Sequence, residues 1–299
     1  MFFVNNSLFI PQPLNRTLGS ESWIESSPTA VWFDTINKQT EKFPMLHPHD
    51  KISSKEYNQF IADLSYSSVL KDGKLIYSFT MEDELYLIDI KGEVIEKKQA
   101  KSRYVQNVSP RRLPNDFLSV VKETCEMPSY GNIMYDEYRK VYYRFVYPET
   151  ELETGLNYRK ILHNGKKEFS IIIMDESFNI IGETKFPPFT YVPHICFINE
   201  EGLFLCTSHF MREDYSDDWL RFQRIDLVEK LENDKLNEKY RNNQGGTNAV
   251  VGNLLQRLFR PNGLRLYSLC GNDTGGAGAG VKGNENSFNR KMISFLVYR

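Results

Sequence analysis

Apolar and polar positions alternate in short runs along most of the first 230 residues, and the runs stop at turn-forming residues. Residues 66–70 turn through Lys71-Asp72-Gly73 into 75–79, residues 132–135 through Asp136-Glu137-Tyr138-Arg139 into 141–146, and residues 195–198 through Asn199-Glu200-Glu201-Gly202 into 203–206. Each predicts a β-hairpin, because Gly, Asn and Asp adopt turn conformations at low steric cost. A second motif lies downstream: strand-like runs end in aspartate at Val31-Trp32-Phe33-Asp34, Leu85-Tyr86-Leu87-Ile88-Asp89 and Ile171-Ile172-Ile173-Met174-Asp175, with a weaker copy ending at Asp226. The aspartate recurs after 55, 86 and 51 residues, the long interval holding a polar excursion over 148–167. Without that excursion the period approaches the roughly 40–50 residues of a four-stranded blade. The best copy, residues 66–97, reads as four antiparallel strands.

Ile171-Ile172-Ile173-Met174 is apolar throughout, and Leu85-Tyr86-Leu87-Ile88 nearly so. A strand with one wet face alternates, so these strands require cover on both faces, and in a chain with little helix the cover is another sheet. The expected fold is all-β, a partial β-propeller-like array of four-stranded antiparallel blades, with a two-layer sandwich as the competing architecture. One short helix is predicted near 53–62, where Ser53-Ser54-Lys55-Glu56 matches a capping box and Tyr57, Phe60, Ile61 and Leu64 follow at helical spacing. Residues 226–240 are a second candidate, a marginal helix or a solvated tail.

Aromatic residues make up 13% of the chain, with 17 Tyr and 20 Phe, which favours pleated, half-buried surfaces. The net charge of −2 supplies no global field toward nucleic acid, and no apolar run approaches the ~20 residues of a membrane helix. Ten of the 18 glycines follow residue 242, which divides the chain into a propeller-like domain over 1–242 and an irregular, basic tail over 243–299. The tail contains Gly278-Ala279-Gly280-Val281-Lys282-Gly283, a G-x-G-x-x-G string. Its sequel Asn284-Glu285-Asn286-Ser287 is a polar turn rather than the opening of a phosphate-holding helix, so no nucleotide cofactor is expected.

Cys125, Cys196, Cys206 and Cys270 form no C-x-x-C pair. Cys196 and Cys206 flank one hairpin turn, which leaves open a cross-strand disulfide or two small buried hydrophobes. The first residues carry neither the basic nor the apolar region of a signal peptide.

Candidate chemistry is sparse. Lys101, Arg103, Tyr104, Arg111 and Arg112 form the most basic short stretch, a clasp for carboxylate or phosphate or else a charged linker. His194 and His209 lie at opposite ends of the 195–208 hairpin, which would bring them to one rim. His47, His49 and Asp50 group two imidazoles with a carboxylate, and Asp214, Asp217 and Asp218 form an acidic loop. No nucleophile–base set is legible, so neither catalytic residues nor a metal site are assigned.

Asp136-Glu137-Tyr138-Arg139-Lys140-Val141-Tyr142-Tyr143-Arg144-Phe145 and Phe169-Ser170-Ile171-Ile172-Ile173-Met174-Asp175-Glu176-Ser177-Phe178-Asn179-Ile180-Ile181-Gly182-Glu183-Thr184 are more specific. Together with Lys101-Ser102-Arg103-Tyr104 and Phe197-Ile198-Asn199-Glu200-Glu201-Gly202-Leu203 they resemble domain of unknown function family 4221, over roughly residues 9–226. The resemblance implies a six-bladed propeller-like fold and exported lipoproteins of Bacteroidetes, hence the periplasm or cell surface. It carries no catalytic residues. The lipoprotein signal and N-terminal blade sequence usual in the family are missing, and the glycine-rich tail is additional, so a truncated N-terminus is expected. The leading expectation is a monomeric, non-catalytic binding or scaffold protein for a glycan, peptide or protein. The alternative is a propeller hydrolase or lyase using rim histidines and acidic residues.

Overall fold

The computed structural model describes residues 2–4, 6–14, 22–229 and 293–297. These belong to one compact unit; the second, Lys230–Lys291, lies outside the described residues. So do the expected boundary after residue 242, the glycine string 278–283 and Cys270.

The chain builds four consecutive four-stranded antiparallel sheets. The first comprises β1 (Phe2–Val4), β2 (Ser7–Pro11), β3 (Ala30–Asp34) and β4 (Thr40–Lys42). A short strand β5 (Phe60–Ile61) precedes the second sheet, β6 (Tyr66–Lys71), β7 (Lys74–Phe79), β8 (Glu84–Asp89) and β9 (Val94–Gln99). Then come β10 (Arg111–Arg112), which pairs with β5, and helix α1 (Phe117–Glu126). The third sheet is β11 (Ser129–Asp136), β12 (Val141–Tyr147), β13 (Ser170–Asp175) and β14 (Ile180–Lys185), with helix α2 (Tyr158–Asn164) between its second and third strands. The fourth is β15 (Val192–Asn199), β16 (Gly202–Cys206), β17 (Phe222–Glu229) and β18 (Ile293–Val297).

The unbroken apolar strands are covered on both faces by other sheets. On β7, Leu75, Tyr77 and Phe79 face the first sheet with Phe9 and Phe43, while Ile76 faces the third. On β13, Ile172 and Met174 join Leu85 and Leu87 of the second sheet, while Ile171 and Ile173 join Leu203, Leu205 and Ile225 of the fourth. Three apolar cores therefore alternate with four sheets, the propeller-like alternative to a two-layer sandwich. Alternation along one strand serves two different cores because successive side chains point to opposite faces.

The recurring aspartates occupy equivalent corners. Asp89 ends β8, and its Oδ1 accepts from the N–H groups of Lys91 and Glu93, both at 2.9 Å. Asp175 ends β13 and accepts from Ser177 and Asn179, again both at 2.9 Å. The third turn residue takes positive φ in each, Gly92 at 93° and Phe178 at 65°. A side chain at Gly92 would also meet Pro44 Cδ at 2.6 Å. Asp34 ends β3 and caps Ile36 and Asn37, at 2.8 and 3.0 Å. Asp226 differs: it lies within β17 opposite Leu296, and its carboxylate accepts from Arg224 Nη2 at 3.1 Å rather than, among the described residues, from turn N–H groups.

Several expectations are corrected. Only half of the expected capping box is present, Glu56 Oε2 accepting from Ser53 N at 3.4 Å and from Ser53 Oγ at 2.7 Å, and the helix predicted near 53–62 is only a 3-10 turn, Tyr57–Gln59. Phe60–Ile61 leaves it to pair with Arg111–Arg112, so tertiary pairing overrides the helical spacing. Among the described residues the two α-helices lie elsewhere, capped by Asp116 onto Ser119 N at 2.9 Å and by Asn157 onto Lys160 N at 3.1 Å. The polar excursion 148–167 contains α2, whose Tyr158 and Ile161 pack on Val121 and Cys125 of α1. Residues 226–229 are strand rather than helix, and the rest of that candidate lies outside the described residues. Ile-Ser-Phe-Leu-Val at 293–297 is β18, not irregular tail, since this β-prone run completes the ladder beside β17. Cys196 stands opposite Leu205 and Cys206 opposite Val192, and both thiols are free.

Candidate functional site

The first strands of the second, third and fourth sheets, β6, β11 and β15, begin around one polar cleft of about 220 Å³. Ser65, Tyr66 and Ser67 approach from β6, Ser129 to Asn132 from β11, and His194 from β15. Thr80 and Tyr147 line it from the ends of β7 and β12, and Leu162, Gly165 and Lys166 from the end of α2.

Local irregularities open this space. The β11–β12 register shifts between Tyr130 and Ile133, and the β15–β16 register between Val192 and Cys196. Each bulge frees backbone from its ladder and re-aims side chains, here Asn132 and His194. The β11 bulge is held in place: Tyr130 N donates to Thr80 O at 2.8 Å, Ile133 N to Ser67 Oγ at 3.1 Å, and Ser78 Oγ to Gly131 O at 3.0 Å. Gly131 has no room for a side chain, because a Cβ would sit 2.8 Å from the Tyr147 ring.

Gly165 ends α2 at φ 114°, with Pro193 Cδ 2.7 Å from where a Cβ would lie. That sharp exit delivers Lys166 into the cleft, where Nζ donates to Met127 O at 2.8 Å and Ser129 Oγ at 3.2 Å. Burial pulls the Lys166 ammonium down to about 8, with Asp63 and Cys125 opposing the shift and Arg111 adding to it. Burial also lowers His194 below the usual imidazole range. Tyr66 is pushed up to about 12 by the same cause. The site therefore presents a neutral imidazole, neutral phenols and hydroxyls, an amide, the Lys166 cation and, at its edge, the Asp63 side chain.

Asp63, Ser65 and Tyr66 also wall a larger adjoining hollow of about 540 Å³, lined by Trp23, Tyr57, Leu14 and His47 among others. The two hollows thus offer a polar end and an aromatic end to one occupant.

The residues singled out in the sequence are dispersed. Arg103 is engaged by buried Glu183: its backbone N–H donates to Oε2 at 2.9 Å and its Nη2 to the Glu183 carbonyl at 3.1 Å. Arg111 bridges Glu123 and Glu149, both at 2.5 Å. Lys101 and Arg112 are exposed, and Tyr104 is 39% exposed with the Arg103 guanidinium 5.6 Å from its ring. His209 is fully buried between the Phe189 and Phe210 rings; its Nδ1 accepts from Met211 N at 3.2 Å, so Nε2–H donates to Gly165 O at 3.3 Å. It thereby braces the turn that carries Lys166, while His194 lines the cleft itself.

The remaining candidates separate too. His47 is buried, with Nδ1 3.1 Å from Leu64 O, whereas His49 and Asp50 are exposed. Asp214 is paired with Arg212 at 2.8 Å and Arg221 at 2.7 Å, which holds its carboxyl far below the usual range. Among the described residues, no three of His, Cys, Asp and Glu gather as metal ligands. Sequence reasoning missed Lys166, Asn132 and Ser129. The Gly165-Lys166 pair closing a helix was the one local signal for them, and its meaning depends on which strands meet there.

Comparison with known proteins follows the same architecture. A crystal structure of a DUF4221 member from Bacteroides vulgatus is 25% identical with a TM-score of 0.64, over 74% of this chain. The chain spans 60% of that neighbour's length. Among curated proteins none matches. The family described as domain of unknown function (DUF4221) matches residues 3–185, which cover both aspartate corners of the second and third sheets and every cleft residue except His194. The chain belongs to the DUF4221 family.

Proposed function

We propose that this protein is a non-catalytic binding protein whose ligand enters the cleft at the start of β6, β11 and β15. The observation that carries this reading is convergence: two bulges and one helix exit aim Asn132, His194 and Lys166 into a single polar hollow. Polar groups supplied by several rigid elements hold a small ligand at low entropic cost. The volume suits one monosaccharide-sized group with an aromatic shelf beside it, which favours a glycan over an extended peptide.

The alternative of a hydrolase or lyase draws less support. Among the described residues, the hydrogen bonds of His47, His49 and His209 all run to backbone groups, leaving no His–carboxylate pair to move a proton. The proposed setting is the periplasm or cell surface, as a monomeric lipoprotein of six-bladed propeller type; family resemblance supports this. Among the described residues no helix is long and apolar enough to cross a membrane.

A glycan-array screen tests the reading, repeated with Asn132→Ala and His194→Ala. Binding that both substitutions weaken by about tenfold, at unchanged melting temperature, supports it. Binding that neither substitution alters places the ligand elsewhere and refutes the cleft.

A further inference from the structure

We infer that the ligand is acidic: a uronic-acid-type sugar whose carboxylate is received by Lys166. This deepens the binding reading above and rests on it. Lys166 is only partly accessible, and no salt bridge joins it to a carboxylate among the described residues. Its ammonium has three donors, of which Met127 O and Ser129 Oγ take two. Neither bond uses the third, and the ammonium lines the cleft 5.7 Å from the centre of the Tyr147 ring.

A cation withdrawn from water with no carboxylate in bonding contact is costly, and a bound carboxylate would offset that cost with a charge-assisted hydrogen bond. The surrounding charges leave the role to Lys166. Arg111 is already neutralised by Glu123 and Glu149. His194 is neutral at physiological pH, the Cys125 thiol is pushed up to about 11, and Asp63, the acidic group lining the cleft, lies near enough to influence Lys166 without bonding it. Beside the Tyr66, Tyr130 and Tyr147 rings, the lining carries the hydroxyls of Ser65, Ser67 and Thr80 and the Asn132 amide, which suit the hydroxyls of a sugar ring.

The test is titration calorimetry of the full chain with D-glucuronate and D-glucose, at pH 6.5 and pH 9, for wild type, Lys166→Arg and Lys166→Met. Wild type is expected to bind glucuronate at least about tenfold more tightly than glucose at the lower pH. The preference should shrink at pH 9, because Lys166 loses its proton across that interval while the sugar carboxylate stays ionised. Lys166→Arg should keep a preference and Lys166→Met abolish it. Equal binding of the two sugars by wild type overturns the acidic assignment and leaves a neutral-sugar cleft standing. A preference that persists in Lys166→Met, or is unchanged at pH 9, overturns Lys166 as the receiving group. Failure of both sugars to bind removes the acidic assignment, while the array result decides the cleft separately.

Discussion

The Arg144 guanidinium carbon lies 3.9 Å from the centre of the Tyr130 ring, at the seam between the second and third sheets. Arg144 is fully buried and donates to Ser78 Oγ at 2.9 Å and to the carbonyls of Glu82, Asp83 and Ala100, at 2.5, 3.0 and 2.9 Å. Burial lowers its guanidinium to about 10, so the charge persists at neutral pH, dispersed over carbonyl dipoles. The same Ser78 hydroxyl holds Gly131 O in the bulge beside the cleft. One buried cation therefore couples the packing of two sheets to the shape of the site.

Arg144→Met should destabilise the protein by about 3 kcal/mol or more, because several buried acceptors lose their donor together. Arg144→Lys should rescue little, since one ammonium cannot span the guanidinium fork. Urea unfolding of both variants checks this; a Met variant of unchanged midpoint would refute it.

Asp89→Ala and Asp175→Ala should each cost about 1 kcal/mol, the scale of a side chain capping backbone N–H groups. Asp226→Ala, which removes no cap, should stay within about 0.5 kcal/mol of wild type. Equal losses at all three positions would contradict the structural equivalence of the first two.

Burial pushes the Cys125 and Cys196 thiols up to about 11, and Cys206 is buried. Thiolates are the reactive form. Alkylation at pH 8 should leave peptides containing these three cysteines unmodified in the native protein and label them in denaturant. Non-reducing mass mapping should find no Cys196–Cys206 link.

Lys166 loses its proton at a lower pH when folded, about 8, than when unfolded, about 10.4. Between those values the unfolded chain binds more protons, so wild type should gain stability relative to Lys166→Met as pH rises through that window. Denaturant unfolding at pH 7.5 and 10 reads the difference, and a wild type that loses ground over this range would contradict the burial of this amine.

The fold was legible where local chemistry forces a conformation. Asp72 and Gly73, both at positive φ, make the tight β6–β7 turn their dipeptide announces, and the apolar run at 171–174 required two covering layers. Helices were misplaced because Phe60 and Ile61 answer to strand pairing with Arg111 and Arg112, whereas α1 and α2 depend on packing against each other. The cleft was mostly hidden. His194 was visible as a residue type, but Lys166 becomes significant only when α2, β11 and β15 meet. Arg103 and Arg111 looked available because Glu183 and Glu149 are 80 and 38 residues away in sequence.

The most direct measurement of the central claim is hydrogen exchange across the whole chain, with and without saturating ligand from the array. Protection is expected together at residues 63–67, 129–132, 162–166 and 192–196, the segments that line the cleft. Protection confined to the loops at 101–112 or 209–218, with those four segments unchanged, would contradict it.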